Sequence, residues 1–322
     1  MVRRGLTTSF AALCACFVLV PAGAGAVTLG IGSSDPGMFS SPRFHALNMT
    51  TARYGLAYDV ATRRGDAGQL RGFRDWYSAA QAAGVSPLIS FGADTTGSKR
   101  VRSHVPSVSE YTKAVKAFLK RFPKIKDYTA WNEPDFPYYK LSRSPALAAN
   151  YFNALYKLCG KHCSVLAGDV FLPATGPSAP VINHSQARLG AWLPGYIRGL
   201  HHRPAGWALH DYTEVRGRNT KQLSTLMRLT SGPIWLDETG GIIRRGHWIY
   251  KSQSAAAAGR DESYLLSLTK RYPRISRIYH YQWSAVSTAG WDSALLDTKG
   301  RPRAAYWVVL HWQQAHRARA AH

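Results

Sequence analysis

The chain has 322 residues, long for one ordinary core, with 45% hydrophobic and 18% charged residues. Its 41 basic and 18 acidic residues give a formal net charge of +23. The Lys and Arg are scattered without a recognition motif, so nucleic acid is not an expected partner; the charge suits a solubilising surface or affinity for anionic polymers. Neither a dinucleotide nor a phosphate motif stands between a strand and a helix, so no cofactor is implied.

Residues 1–26 read as a signal peptide. Arg3 and Arg4 give a positive start, Phe10 to Val20 is almost all apolar, and Pro21 to Ala26 supplies small residues for cleavage after Ala26. The apolar stretch is too short to span a bilayer, so a secreted or envelope-associated protein without stable membrane insertion is expected. Residues 27–322 read as one domain. Eight short apolar runs are strand candidates: Val27 to Ser33, Thr51 to Asp59, Ser86 to Gly92, Asp127 to Glu133, Cys163 to Val170, Gly206 to Tyr212, Pro233 to Glu238 and Ile275 to Trp283. The segments between them are each long enough for a crossover helix. That alternation predicts a parallel sheet, and eight units in about 300 residues predict a closed (β/α)8 TIM barrel, an α/β fold.

Several of the helices carry their own signals. Asp66 to Ala83 places Leu70, Phe73 and Tyr77 on one side and ends at Gly84. Ser107 to Phe122 carries a stripe of Val115, Phe118, Leu119 and Phe122, with Ser109 as a cap and Pro123 as the stop. Ser144 to Leu158 opens on Ser-Pro, and Ala304 to Ala318 reads as the last helix. The stretch Phe171 to Ser185 is rich in Pro, Gly and Ser and reads as a long loop beside the cleft. Cys14 and Cys16 leave with the signal. Cys159 and Cys163 flank a Gly-containing turn, and in an exported protein they are expected to form a local disulfide. With His162 nearby but no second ligand pair, a zinc site is disfavoured, and no metal site is expected.

Two glutamates stand at the ends of apolar runs. One run is Asp127-Tyr128-Thr129-Ala130-Trp131-Asn132-Glu133-Pro134; the other is Pro233-Ile234-Trp235-Leu236-Asp237-Glu238-Thr239-Gly240. Carboxyl groups at the tips of two barrel strands can converge over one face. Retaining glycoside hydrolysis needs such a pair about 5–5.5 Å apart, one as acid/base and one as nucleophile. Side chains alternate along a strand, so only one of Asp237 and Glu238 is expected to face the cleft.

The run Trp131-Asn132-Glu133-Pro134 resembles the strand-four Asn-Glu-Pro signature of the clan A glycoside hydrolases, the cellulase and β-xylosidase superfamily. The resemblance implies Glu133 as acid/base and Asn132 as a partner of the sugar 2-hydroxyl. Leu236 to Gly240 resembles the strand-seven nucleophile segment, implying Glu238 in that role. His210-Asp211-Tyr212 resembles the strand-six His-x-Tyr, implying that Tyr212 bonds the nucleophile. Arg53 resembles the strand-two arginine that steadies the nucleophile's charge, and Trp283 the strand-eight tryptophan that forms a sugar platform. No strand-three histidine or asparagine has a counterpart among Ser90, Gly92 and Asp94. Trp131, Trp207 and Trp283 serve equally as packing, while Trp248 and Trp291 fall in predicted loops where an indole face could meet a sugar. Asn48 and Asn183 match the glycosylation sequon.

These residues imply a retaining β-glycosidase working as a monomer on a polysaccharide or oligosaccharide, and the basic charge suits an acidic one. Two other readings remain open: a barrel that binds glycans without cutting them, and a metal-dependent hydrolase using Asp169, His210 and Asp237. The second of these lacks a His-x-His on the first strand, Val27 to Ser33.

Overall fold

The computed structural model describes residues 27–63, 67–93, 104–136, 139–171, 186–245, 253–287 and 290–320. The expected signal segment, Asp94, Trp248, and residues 172–185 with the Asn183 sequon lie outside them. No described helix is long and apolar enough to cross a membrane.

Eight parallel strands close into a (β/α)8 barrel. β1 (Thr28–Gly32), β2 (Thr51–Ala57), β3 (Ser86–Gly92), β4 (Asp127–Thr129), β5 (Ser164–Val170), β6 (Gly206–His210) and β7 (Ile234–Thr239) follow in spatial order. β8 (Arg244–Arg245) leaves the barrel, and β9 (Ile275–Tyr281) closes it with Tyr279 opposite Gly30 of β1. β10 (Trp291–Asp292) pairs antiparallel with β8. All eight expected strands are present. β4 ends four residues before Glu133, because Asn132 N–H turns to the Phe91 carbonyl at 2.6 Å and Glu133 N–H to the Asp169 carbonyl at 2.9 Å.

Helices pack around the sheet. The helix Val108–Arg121 begins with a reciprocal cap: Ser107 Oγ accepts from Glu110 N–H, and Glu110 Oε2 accepts from Ser107 N–H at 2.7 Å. The cap is therefore Ser107 and not Ser109. Phe118 from this helix meets Phe91 of β3 at 5.2 Å between ring centroids, and Trp76 of the helix Ala67–Ala82 meets Tyr54 of β2 at 4.9 Å. Burial of each such ring stabilises the sheet–helix layer by about 1.5–3 kcal/mol. The helix Pro145–Cys159 ends in the Cys159–Cys163 disulfide, with Cα atoms 5.6 Å apart, just before β5. That bridge lies at the N-terminal ends of the strands.

Inside the barrel, Leu88, Leu166, Ala208, Trp235 and Tyr279 form an apolar floor. Beneath it, the Arg277 guanidinium lies 3.8 Å from the centre of the Trp235 ring and bonds Asp127 at 2.6 Å. Above it, at the C-terminal ends of the strands, the inward positions of β2 to β7 are polar: Arg53, Ser90, Thr129, Asp169, His210 and Asp237. The floor keeps the polar layer away from solvent at the opposite end.

Gly30 shows how tightly the floor is filled. A Cβ there would stand 2.7 Å from the Thr51 carbonyl oxygen and 2.8 Å from the Tyr279 ring. The Gly30→Ala substitution is expected to destabilise the chain by about 1–3 kcal/mol through overpacking. Urea denaturation reads this as a lower midpoint at unchanged slope; an unchanged midpoint would contradict it.

Candidate active site

The polar layer is organised around Arg53. On β2 its side chain points into the lumen, where only 4% of it is exposed. Nη1 donates to Glu238 Oε2 at 2.6 Å, and Nη2 donates to Asn132 Oδ1 at 2.7 Å and to Asp169 Oδ1 at 3.1 Å. Nε lies 3.3 Å from Asp237 Oδ2, close enough for ion pairing but off the hydrogen-bond line. Burial alone would lower the guanidinium's affinity for its proton. The charges of Asp169 and Glu238 outweigh that and hold it well above the ordinary arginine value.

His210, at the end of β6, spans the site. Its Nδ1 lies 2.9 Å from Glu133 Oε1, and its Nε2 lies 2.6 Å from Asp169 Oδ1 and 3.9 Å from Glu238 Oε2. Burial would strip the ring of its second proton, but Glu238 and Asp169 reverse this and push its pKa well above the usual histidine value. A carboxyl oxygen faces each ring nitrogen, and both contacts favour the charged ring, while Arg53 Nη2 also lies 3.2 Å from Nε2. Asp169 shows the complementary effect. Burial would raise its pKa; Arg53 and His210 hold it well below the carboxylate range. Asp237, by contrast, is pushed well above that range, first by burial and then by the charge of Asp169. The two aspartates thus divide into one carboxylate and one neutral acid.

Glu238 is held at both oxygens, by Arg53 on Oε2 and by the Tyr212 hydroxyl, which donates to Oε1 at 3.1 Å. Tyr212 opens a short helix, Tyr212–Gly217, directly after β6, and its ring is braced edge-on by Trp291 at 4.7 Å. Trp291 Nε1 donates to Ser293 Oγ at 2.7 Å. Of Asp237 and Glu238 only Glu238 lines the cavity, as expected; Asp237 is fully buried, yet both reach Arg53. The register of β7 shifts between Leu236 and Thr239, and this irregularity breaks the alternation.

The structure therefore brings Arg53, Asn132, Glu133, His210, Tyr212 and Glu238 together at the C-terminal mouth. Trp283 is placed elsewhere. It is buried, 5.9 Å edge-on to Phe44 in the outer core, because β9 ends two residues before it. Tyr281 takes the inward position, and with Tyr139 it lines a cavity of about 390 Å³ that also meets Asn132 and Glu238. Burial and the Glu238 charge push the Tyr281 hydroxyl up to about 12; burial and the charges of Glu133 and Glu238 do the same for Tyr139. Trp131 stacks on Tyr151 at 5.2 Å, and Trp207 Nε1 donates to the Ser231 carbonyl, so both serve packing. Ser90 lines the same cavity, and its hydroxyl donates to Asp169.

Asp169, His210 and Asp237 offer ligand atoms within 4.8 Å of one another, the geometry a metal-dependent reading requires. A cation already sits among them. The Arg53 guanidinium lies 3.1, 3.2 and 3.3 Å from Asp169, His210 and Asp237. The donor set does not fit a metal ion while that side chain is in place.

No family model matches the sequence, and no curated protein is similar enough to count as a match. Solved structures do share the fold. A GH5_18 protein from Bifidobacterium longum subsp. infantis superposes with a TM-score of 0.64 at 13% identity, covering 90% of this chain and 79% of that one. A family 39 glycoside hydrolase from Bacteroides cellulosilyticus WH2 gives 0.60 at 14% identity, over 88% of this chain. This chain spans only 62% of that enzyme's length. A GH128 endo-beta-1,3-glucanase from Amycolatopsis mediterranei, solved with laminaripentaose, gives 0.53 at 16% identity, over 88% of this chain and 99% of that one. At these identities the likeness is one of fold.

Removing the central cation leaves its carboxyl partners buried together. Arg53→Met is expected to cost about 3–5 kcal/mol of stability. Thermal and urea unfolding measure it, and a loss below about 1 kcal/mol would contradict the central role of Arg53. Dialysis against a strong chelator is expected to leave the melting temperature unchanged; a clear drop would restore the metal reading.

Proposed function

We propose that this chain is an exported retaining β-glycosidase acting on an oligosaccharide or polysaccharide. The observation that carries the reading is the meeting of two strand-end glutamates on one imidazole: Glu133 lies 2.9 Å and Glu238 3.9 Å from the two nitrogens of His210. Glu133 leaves β4 and Glu238 ends β7, so their carboxyl groups approach the mouth from opposite sides of the barrel. The cavity beside Glu238 has room for a sugar ring, with Asn132 in position to meet a hydroxyl. Fold neighbours solved with laminaripentaose and with Manb1-4GlcNAc support a carbohydrate substrate.

In the first step Glu238 attacks the anomeric carbon while Glu133 gives a proton to the departing oxygen. Arg53 and Tyr212 orient the attacking carboxylate and leave it no freedom to turn away. In the second step Glu133 takes a proton from water, which displaces Glu238 from the sugar. The anomeric configuration is kept. Export through the segment 1–26 would bring the enzyme to its polymer outside the cell, and its basic charge would favour an anionic one.

Glu238→Ala is expected to abolish turnover of aryl β-glycosides, and azide is expected to restore part of it as the glycosyl azide. Proton NMR of the first-formed product is expected to show the substrate's own anomer. Full activity in the variant, or an inverted product, would refute the assignment.

A further inference from the structure

Asp169 is a fully buried acid to which the reaction above gives no role, and its surroundings are unusual. β5 carries an irregularity: Gly168 pairs with Ala208 and Val170 with Leu209, which leaves Asp169 as the extra residue. Asp169 has φ 59° and Gly168 φ 95°, and a Cβ on Gly168 would stand 2.6 Å from the Ala208 carbonyl oxygen. A bulge of this kind re-aims a side chain, at a conformational cost of about 1–3 kcal/mol for a non-glycine residue at positive φ. Here it turns Asp169 into the lumen.

The carboxylate is then surrounded by donors from four other strands. Oδ2 accepts from the hydroxyls of Ser90 on β3 and Thr129 on β4. Oδ1 takes both Arg53 Nη2 from β2 and His210 Nε2 from β6. The neutral acid of Asp237 on β7 and the Tyr196 hydroxyl of the helix Gln186–Arg198 complete its titratable surroundings. The backbone of Asp169 is engaged as well. Its carbonyl accepts the N–H of Glu133, a residue itself held at φ 46°.

Asp169 therefore grips Glu133 at two points, once through the main chain and once through the imidazole. We infer that Asp169 is a positioning residue: through Nε2 it sets the orientation of the His210 imidazole, and through the ring and its own carbonyl it fixes the carboxyl of Glu133 for proton transfer. With Nδ1–H committed to Oε1, the transferable proton of Glu133 is confined to Oε2, the oxygen free to face the sugar. This rests on the glycosidase reading for its kinetic consequence but not for its effect on His210.

The test is Asp169→Asn, which keeps size and shape and removes the charge. On phenyl β-glycosides, whose leaving group needs an acid, kcat/KM is expected to fall by about 100-fold or more. On 2,4-dinitrophenyl β-glycosides, which leave unaided, the loss is expected to stay below about 10-fold. Nitrogen-15 spectra of the His210 ring at neutral pH read the other half: imidazolium in the parent, neutral imidazole in the variant. If Asp169→Asn does not fold, the parent decides the matter: its His210 ring is expected to remain imidazolium at about pH 8, and a neutral ring there overturns the inference. An unchanged ring spectrum, or equal losses on both substrates, overturns the inference. A parent chain that cleaves no aryl glycoside refutes the glycosidase reading, while the ring spectra still decide the role of Asp169.

Discussion

One cation amid buried carboxyl groups is the constraint on which the mouth of this barrel depends. Arg53 touches Asp169, Asp237, Glu238 and Asn132, which come from β5, β7 and the segment after β4. Three acids so close would repel one another and forfeit hydration without it. Part of the load is removed by protonation, since Asp237 stays neutral; part is shared by His210, which joins Arg53 on the same Asp169 oxygen. An arginine suits the position because its planar fork can meet several oxygens at once, which the point charge of a lysine would not do.

The backbone bends to serve that cation. Of the four non-glycine residues with positive φ among those described, Glu133 and Asp169 lie at this mouth, and β5, β6 and β7 each carry a register shift near it. The other end of the barrel shows the opposite character, an apolar floor braced by Arg277 and Asp127. Strained residues beside such a polar cluster are expected where side chains must be held in place for chemistry. The same irregularities let Asp237 and Glu238, neighbours in sequence, reach one guanidinium.

Much of the barrel was legible because each strand is a short apolar run with helical periodicity between. Glu133 and Glu238 stood out as charges at the ends of such runs, each followed by a Pro or Gly. What escaped the sequence was whatever depended on register. Trp283 read as an inward residue at the end of its strand, but β9 stops at Tyr281, and the packing of the indole on Phe44 gives it a place in the outer core. Asp169 showed only as an acid inside Val165-Leu166-Ala167-Gly168-Asp169-Val170; the adjoining glycine was the one sign of a bulge, and the hydroxyls that hold it come from strands 40 and 79 positions away. The true cap of the helix Val108–Arg121 was available in principle, since Ser107 has Glu110 three residues on.

The claim that a single sugar ring is attacked by one of these glutamates and protonated by the other has a direct test. The chain is incubated with a series of activated 2-deoxy-2-fluoroglycosides, which form the glycosyl-enzyme but release it slowly, and is then digested and mapped by mass spectrometry. The account predicts time-dependent inactivation by at least one sugar, with one label on the peptide carrying Glu238. A label on any other side chain would contradict it, as would turnover of the parent glycoside with no covalent adduct.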